Sequence, residues 1–297
     1  MEPAATVEPG PAAPSGARAP LAVHWLGRIG YREAWTLQKR LAAARARGAI
    51  GDQLLLLEHP PVLTLGRGAD ESHVLAPAPL LAERGIELLR VERGGEVTYH
   101  GPGQLVAYPI IRLSDRGLLL RPLVRALEAA LVETCKAFGV DAARRDGHPG
   151  CWVAPESPLP RKIGALGLRV ERGVTYHGIA LNVSVNLRDF DLIDPCGMPG
   201  LASASVWSEL GRRDEPPSPE SVAEAACAFA VAFAAEICAP PAGDLPSGAD
   251  PVAALVERSG LEAMLAAAEV EAEAAAEVEA EVEADPDAVP ALTEVAR

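Results

Sequence analysis

A cysteine in a tight turn is the residue of this sequence with the clearest capacity for chemistry. Cys196 stands between Pro195 and Gly197 in the segment DPCGMPG. Proline before and glycine after favour a turn over a strand or a helix interior, so we expect the thiol at a loop tip or at the edge of a cleft. A thiolate in such a place can act as a nucleophile and carry an acyl group. Taken alone, the motif fits a turn cysteine without a chemical role equally well.

The other four cysteines are predicted to be small buried apolar residues. Cys135 lies in a predicted helix, Cys151 is next to Trp152, and Cys227 and Cys238 lie in a helix rich in alanine and phenylalanine. The cysteines show no metal-ligand spacing, and their odd number does not suit a disulfide framework. We therefore expect no metal site, and a reducing, cytoplasmic setting.

A lysine at the start of an apolar strand is the second candidate for chemistry. Lys162 opens the segment KIGALGLRV, which contains Gly164 and Gly167. Glycine weakens a strand unless another group must approach the backbone closely. The next predicted strand, YHGIALNVS, again places a glycine beside a polar residue, here His177 and Gly178. The repetition favours a ligand cleft, although an exposed lysine at a strand start is the ordinary alternative.

A glycine-rich loop precedes these strands. The segment RGGEVTYHGPGQ, residues 93–104, holds four glycines and a proline together with several polar side chains. Glycine permits close approach of the backbone to a ligand. The segment contains neither of the glycine-rich phosphate-binding patterns. It is therefore predicted to be either a binding loop for a ligand other than a nucleotide phosphate or a plain surface loop.

These segments must be positioned by a mixed set of helices and strands. The alternation predicts one mixed α/β (α+β) domain over residues 21–241, preceded by a disordered Pro/Ala-rich extension over residues 1–20. The predicted helices cover residues 31–47, 118–138 and 221–238. The predicted strands cover residues 54–57, 62–65, 88–92, 104–111, 162–170 and 173–185, and residues 93–103 are predicted to be a loop.

The negative charge of the chain belongs to its C-terminal part. The 297 residues carry a formal net charge of −14, and residues 243–297 alone hold fourteen acidic residues against two arginines. Residues 242–297 are therefore predicted to be an acidic tail, either disordered or a frayed helix, with little to bury. The nearly neutral remainder has no clustered basic face of the kind that binds nucleic acid. No apolar run approaches the about 20 residues that a membrane span needs.

Five segments, taken in order, resemble one family. These are EHPPVLTLGRGAD, RGGEVTYHGPGQLVAYP, RKIGALGLRV, TYHGIALNV and DPCGMPG. They are similar to the lipoyl(octanoyl) transferases, the lipoate–protein ligase B type, over residues 23–240. The resemblance implies a mixed sheet flanked by helices, similar to the catalytic fold of biotin and lipoate protein ligases.

The same resemblance implies an activity and its partners. An octanoyl group would move from octanoyl-acyl carrier protein to a lysine of a lipoyl domain, the first step of protein lipoylation. The acceptors would be lipoyl domains of 2-oxoacid dehydrogenase complexes or the glycine cleavage H protein. No cofactor, nucleic acid or membrane would take part.

The resemblance also assigns residues. Cys196 would carry the acyl thioester, and Lys162 would favour its thiolate form and act as acid and base. Tyr108 and His177 would line the substrate pocket. The remaining substrate-binding positions implied are Arg93, Gly94, Gly95, Glu96, Val97, Thr98, Tyr99, His100, Ala165, Leu166, Gly167, Gly178, Ile179 and Ala180. We further expect an arginine patch for the acidic carrier protein, formed by Arg112, Arg116, Arg121 and Arg125, or by Arg144 and Arg145.

Three alternatives remain open at this point. An ATP-dependent lipoate or biotin ligase would use a lysine without an acyl-carrying cysteine. A non-catalytic protein that binds lipoyl domains would not depend on Cys196. A papain-like hydrolase would use His100 or His177 as the base for the thiol.

Overall fold

The computed structural model describes residues 19–239, 241–242 and 260–270. Within these residues a nine-stranded mixed sheet has the order β12-β1-β2-β6-β10-β9-β8-β7, with β11 paired to β9, and a second sheet has the order β4-β3-β5. The strands are β1 (Leu21–Arg28), β2 (Asp52–Glu58), β3 (Val62–Leu65), β4 (Glu87–Arg90), β5 (Val97–His100), β6 (Gln104–Ile110), β7 (Ala142–Arg145), β8 (His148–Val153), β9 (Arg161–Glu171), β10 (Val174–Asn182), β11 (Ala202–Ser203) and β12 (Pro241–Ala242). The named helices are α1 (Tyr31–Arg47), α2 (Ala78–Glu83), α3 (Leu120–Ala137), α4 (Val206–Glu209) and α5 (Pro219–Glu236).

The centre of the large sheet is covered by helices on both faces. Leu54 and Leu56 of β2 pack into the core formed with α3 and α5, whereas Leu55 and Leu57 pack into the core formed with α1. Successive side chains of a strand point to opposite faces, so a strand covered on both sides reads as a continuous apolar run. The mixed α/β fold with a mixed sheet flanked by helices is therefore confirmed.

The hairpin of β9 and β10 owes its glycines to close backbone contacts. A Cβ atom on Gly178 would stand 2.0 Å from the carbonyl oxygen of Ala107, and one on Gly167 would stand 2.6 Å from the carbonyl oxygen of Gly94. Any larger residue would push these strands and the 93–95 segment apart. The glycines of this hairpin thus allow the loop of residues 93–95 to lie directly on the sheet.

The loop predicted over residues 93–103 contains a strand, so that prediction is wrong in part. Residues Val97–His100 form β5, which pairs antiparallel with β3, with Val62 opposite His100 and Leu65 opposite Val97. Glycines on both sides of this strand favour the prediction of a loop, so the strand cannot be recognised from the local sequence. Pairing with a strand more than thirty residues earlier supplies the backbone hydrogen bonds.

The described part of the acidic tail, residues 260–270, is a helix that packs on the domain. Leu261, Leu265 and Ala268 are buried in the core that contains α1. Arg40 of α1 forms ion pairs with Glu262 and Glu269 of this helix. The segment therefore differs from the expected frayed helix with little to bury. Residues 1–18 and the rest of the tail lie outside the described residues.

No helix in the described part of the chain combines the length and the apolar character needed to cross a membrane.

Truncation of a buried side chain on this C-terminal helix should release it from α1. Leu265→Ala removes the contact of a fully buried residue, a change that costs about 2–5 kcal/mol at core positions. Because local segments can open without global unfolding, we expect faster hydrogen exchange over residues 260–270 with α3 unchanged, measured by mass spectrometry. Val270→Ala, on the exposed side of the same helix, is the control. Equal exchange in both variants would contradict the packing.

Candidate active site

The two residues singled out for chemistry meet in the structure. The ammonium of Lys162 donates a hydrogen bond to Sγ of Cys196, with 3.1 Å between Nζ and Sγ. Lys162 is the second residue of β9 and is buried, and Cys196 is half-buried in the 3₁₀ turn Pro195–Gly197. A cationic side chain in contact with the sulfur is typical of the surroundings of reactive cysteines. The pair therefore has the arrangement of an activated nucleophile.

The Lys162 side chain is held by β8 and its neighbours. Its Nζ lies 5.0 Å from the centre of the Trp152 ring, a cation–π contact. A Cβ atom on Gly150 would stand 2.9 Å from Cε of Lys162, so this position leaves room for the side chain only as glycine. The Gly150 N–H is in turn held by the carboxylate of Glu128 on α3. These contacts aim the ammonium at Cys196.

The turn that carries Cys196 is strained and tied down at both ends. Cys196 has φ 60°, a left-handed conformation that is uncommon for residues other than glycine. The Gly197 N–H donates to the carbonyl of Asp194 at 3.0 Å, and the Asp194 N–H donates to the carbonyl of His73 at 2.8 Å. Strained backbone persists where the surroundings over-determine it, and such positions cluster at functional sites.

The other cysteines differ from Cys196 in their surroundings. Cys135 and Cys151 are fully buried, as expected. Cys227 is half-buried and Cys238 is exposed, so the prediction of burial is wrong for Cys238, which lies just past the end of α5. A hydrogen bond with Cys151, together with burial, raises the pKa of the Cys135 thiol, and burial raises the pKa of the Cys227 thiol. Cys196 is the cysteine that Lys162 contacts.

A cavity of about 560 Å³ opens beside the Cys196–Lys162 pair. The residues that line it and that the resemblance implies are Arg93, Gly94, Gly95, Glu96, Val97, Thr98, His100, Tyr108, Lys162, Ala165, Leu166, Gly167, His177, Gly178, Ile179, Ala180 and Cys196. The further lining residues are Tyr31, Leu120, Val124, Gly147, His148, Pro149, Leu168 and Met198. Most of this wall is apolar, so the cavity suits an aliphatic chain attached to Cys196.

Tyr99 is the one residue of the implied set that lies elsewhere. Its ring is buried against Phe190 and its hydroxyl donates to Asp189. In β5 successive side chains alternate between the two faces, so Thr98 and His100 face the cavity and Tyr99 faces away. The sequence motif predicts a loop at these positions, so it carries no information about the face of the sheet on which Tyr99 lies.

A buried polar cluster forms another part of the cavity wall. The guanidinium of Arg93 donates to the carbonyl and hydroxyl oxygens of Thr64. His59 Nδ1 donates to the carbonyl of Ile29, which leaves Nε2 to accept from the hydroxyl of Tyr108.

Burial keeps the histidines of this cluster neutral. Desolvation lowers the pKa of His59 to about 4 and that of His177 to about 3, and it lowers the pKa of His100 well below its ordinary value. His100 Nδ1 pairs with Gln104, and the two ring nitrogens of His177 have no partner among the described residues. The hydrogen-bond partner of Cys196 is a lysine, which disfavours the papain-like alternative.

The neutral histidines make the folded state sensitive to acid. In the unfolded chain a histidine binds a proton near pH 6.5, but His59 and His177 resist protonation in the folded state, so their contribution to stability is present above that pH and lost as pH falls. Together they should lower the free energy of unfolding by about 4 kcal/mol between about pH 7.5 and about pH 5. Denaturant unfolding at both pH values measures this. His59→Gln should make the dependence shallower; an unchanged dependence would count against the assignment.

Two arginines of the expected carrier-protein patch are in the wrong place for docking. Arg116 is 6% exposed and its guanidinium binds the buried carboxylate of Asp52. Arg112 is half-buried, and its guanidinium donates to the carbonyl of Ala46 and lies near the carboxylate of Asp115. The prediction is therefore wrong for these two residues, because their guanidinium groups already have partners within the domain. The exposed arginines of the predicted set are Arg121, Arg125 and Arg144.

Sequence reasoning did not single out His73, which lies beside the turn Pro195–Gly197 that carries Cys196, here called the nucleophile turn. His73 lies three residues after Asp70, the last residue of the early motif, and its Nδ1 is 3.5 Å from the carboxylate of Asp194. The signal that could have found it is the polar run DESH, which begins at Asp70.

Comparison with known proteins identifies the family. A family model, the lipoyl protein ligase A/B catalytic domain, matches residues 30–228. An octanoyltransferase from Acidobacterium capsulatum is 51% identical over 199 residues, which cover 64% of this chain and 80% of that relative. An octanoyltransferase from Chloroflexus aurantiacus is 49% identical over 193 residues, which cover 65% of this chain and 85% of that relative.

A solved structure shares the fold. A bipartite lipoate protein ligase from Thermoplasma acidophilum has a TM-score of 0.53 and 16% identity, and the match covers 81% of this chain and 92% of that one. A structural match at such low sequence identity shows only a shared fold, whereas the two octanoyltransferases of higher sequence identity show the family. The chain therefore belongs to the lipoyl protein ligase A/B catalytic-domain family and, within it, to the octanoyltransferases, so it is an acyltransferase of lipoyl or octanoyl groups.

Proposed function

We propose that this acyltransferase takes an octanoyl group from octanoyl-acyl carrier protein onto Cys196 and passes it to a lysine of a lipoyl domain. The observation that carries the proposal is the 3.1 Å contact between Lys162 Nζ and Cys196 Sγ at the wall of an apolar cavity. A nucleophile, its activating group and a slot for the acyl chain thus occur together.

In the first half-reaction the Cys196 thiolate attacks the thioester carbonyl of the donor. A bond forms between Sγ and the carbonyl carbon, and the bond to the donor sulfur breaks. The departing thiolate takes a proton from the Lys162 ammonium, which leaves Lys162 neutral. Since one thioester replaces another, the exchange needs no ATP.

The cavity accounts for the binding of the acyl chain. Ala165 and Leu166 of β9 and Ile179 and Ala180 of β10 line it. Burial of each methylene group contributes about 0.8 kcal/mol, so the seven carbons beyond an octanoyl carbonyl contribute about 6 kcal/mol. A chain of this length can therefore be held while the acceptor arrives.

The acceptor is a lysine on a small protein domain. The Thermoplasma ligase with the same fold is described with its E2 lipoyl domain, which supports a lipoyl domain as the acceptor here. Domains of 2-oxoacid dehydrogenase complexes and the glycine cleavage H protein are the classes we expect to be modified. The thioester on Cys196 supplies the free energy for amide formation.

A single-turnover experiment tests the proposal. The protein is mixed with octanoyl-acyl carrier protein without ATP, and the products are followed by intact mass and peptide mapping. We expect one octanoyl group on Cys196 that disappears when a lipoyl domain is added, with octanoyl-lysine formed in its place. A label on another residue, or transfer that occurs only with ATP, would refute the proposal and favour an ATP-dependent ligase.

A further inference from the structure

The second half-reaction of the proposed function releases more protons than Lys162 can take. A lysine side chain is an ammonium with three N–H bonds at neutral pH, and the amide product keeps one. Two protons must therefore leave the acceptor nitrogen. Lys162, neutral after the first half-reaction, can accept only one of them, so a second acceptor of protons is needed at the site.

An imidazole lies beside the nucleophile turn. Nε2 of His73 is 3.3 Å from the place where a Cβ atom on Gly197 would stand, and Gly197 directly follows Cys196. The Nδ1 of the same ring is 3.5 Å from Oδ2 of Asp194, two residues before Cys196. An acid on one nitrogen sets the tautomer and leaves the other nitrogen free to accept a proton.

The backbone fixes His73 to this turn. His73 ends the 3₁₀ turn Glu71–His73, whose first N–H groups are capped by the Asp70 side chain accepting from Ser72 N–H at 2.9 Å. The carbonyl of His73 accepts from Asp194 N–H at 2.8 Å. The next residue, Val74, forms an antiparallel bridge with Ile193. The proximity of the ring to Cys196 therefore follows from paired backbone segments and does not depend on one rotamer.

The surroundings of His73 suit an incoming ammonium. Glu96 lines the cavity, and its Cγ is 3.1 Å from the same Cβ position on Gly197. With Asp194, it places two carboxylates beside the nucleophile turn. Carboxylates at the mouth of a site attract a cation and stabilise the imidazolium that forms when the ring takes a proton.

We propose that His73, oriented by Asp194, accepts one of the two protons released by the acceptor lysine, while Lys162 accepts the other. This inference rests on the proposed function. The ammonium gives a proton to Nε2 of His73, and the resulting amine attacks the thioester carbonyl. The C–N bond forms, the C–S bond breaks, and the second proton moves from nitrogen to Lys162. The Cys196 thiolate is restored beside the Lys162 ammonium, and His73 returns its proton to water.

The test measures the two half-reactions separately with His73→Gln. Rapid-quench mass spectrometry follows acylation of Cys196 by octanoyl-acyl carrier protein, and then transfer to a lipoyl domain. Since the acceptor lysine takes no part in the first half-reaction, we expect acylation within about two-fold of wild type and transfer slower by about 100-fold, the usual effect of a proton-transfer group. His24→Gln is the matched control, because His24 is a half-buried histidine that bonds to Gln53 outside the cavity.

The pH dependence distinguishes proton transfer from a structural role. If His73 accepts a proton, the transfer rates of wild type and His73→Gln should depend on pH differently, whereas a purely structural role would leave the two dependences parallel. The charged groups that face the ring are Asp70, Glu96 and Asp194. Asp194→Asn, a variant of the positioning residue, should slow transfer by about ten-fold and keep the pH dependence.

A nucleophile that is already neutral supplies the last control. Hydroxylamine attacks a thioester at neutral pH without losing a proton first, so the acyl-enzymes of wild type and His73→Gln should react with it at equal rates. Transfer to the lipoyl domain at the wild-type rate in His73→Gln would overturn the inference. The inference would also fail if His73→Gln slowed the hydroxylamine reaction as much as it slowed transfer to the lipoyl domain. If wild type forms no acyl group on Cys196, the proposed function fails instead, and the two failures are thereby separated. Should His73→Gln not fold, Asp194→Asn decides by the same measurements.

Discussion

Octanoyl transfer to a lipoyl domain is expected to fall to background when Cys196 is replaced by alanine, a loss on the order of 10⁴-fold or more. The reason is that Sγ is the atom that forms the covalent intermediate. Removal of one sulfur atom from a half-buried turn leaves the apolar cavity intact, so the donor should still bind. Transfer is measured by mass spectrometry of the acceptor domain, and binding of the acyl carrier protein by calorimetry.

Cys238→Ala is the matched control for this variant. Cys238 is exposed, lies past the end of α5 and does not line the cavity. It should transfer octanoyl at the wild-type rate. Substantial transfer by Cys196→Ala would show that the donor thioester reacts directly with the acceptor, and the acyl-enzyme would have to be abandoned.

Replacement of Lys162 by methionine is the second large effect, with an expected slowing of Cys196 acylation by about 10²- to 10⁴-fold. Methionine keeps an unbranched apolar side chain but removes the ammonium that contacts Sγ at 3.1 Å and lies over the Trp152 ring. The positive charge beside the sulfur is then lost, so the nucleophile should react more slowly. The rate of alkylation of Cys196 by iodoacetamide reports this directly and should fall together with the acylation rate.

A second variant separates the charge of Lys162 from its proton transfer. Lys162→Arg keeps a positive charge beside the sulfur but does not lose a proton in proteins, so it should retain more alkylation reactivity than acyl transfer. Lys136→Met, on the exposed side of α3, is the control and should behave as wild type. If iodoacetamide reacts equally fast with Lys162→Met, the ammonium does not activate the thiol.

Local signals in the sequence were enough for several elements. The apolar spacing of residues 31–47 predicted α1, and the structure places the helix at Tyr31–Arg47. The run after the two prolines predicted β3, which the structure places at Val62–Leu65. The apolar spacing of α1 matches a helix with one buried face, and the short run of β3 matches a strand that is buried on both faces.

Features that depend on distant residues were not accessible in the same way. The strand β5 was missed because its partner β3 lies far away in sequence. Arg112 and Arg116 were expected at the surface, where arginine usually lies, but the guanidinium of Arg116 binds the buried Asp52 and that of Arg112 binds the carbonyl of Ala46. Composition and spacing carry no information about which acid meets which base.

The sequence by itself singled out Cys196 and Lys162, the reacting groups of the proposed mechanism, because proline and glycine around Cys196 restrict the backbone locally and the strand of Lys162 contains glycines that demand a close neighbour. Only the tertiary structure decided that Nζ and Sγ lie 3.1 Å apart, that Tyr99 faces away from the cavity, and that His73 reaches the nucleophile turn. The physical reason is that these relations are set by strand pairing and side-chain alternation between segments far apart in the chain. Local sequence determines the backbone conformation of a segment, whereas tertiary packing determines which segments lie next to each other.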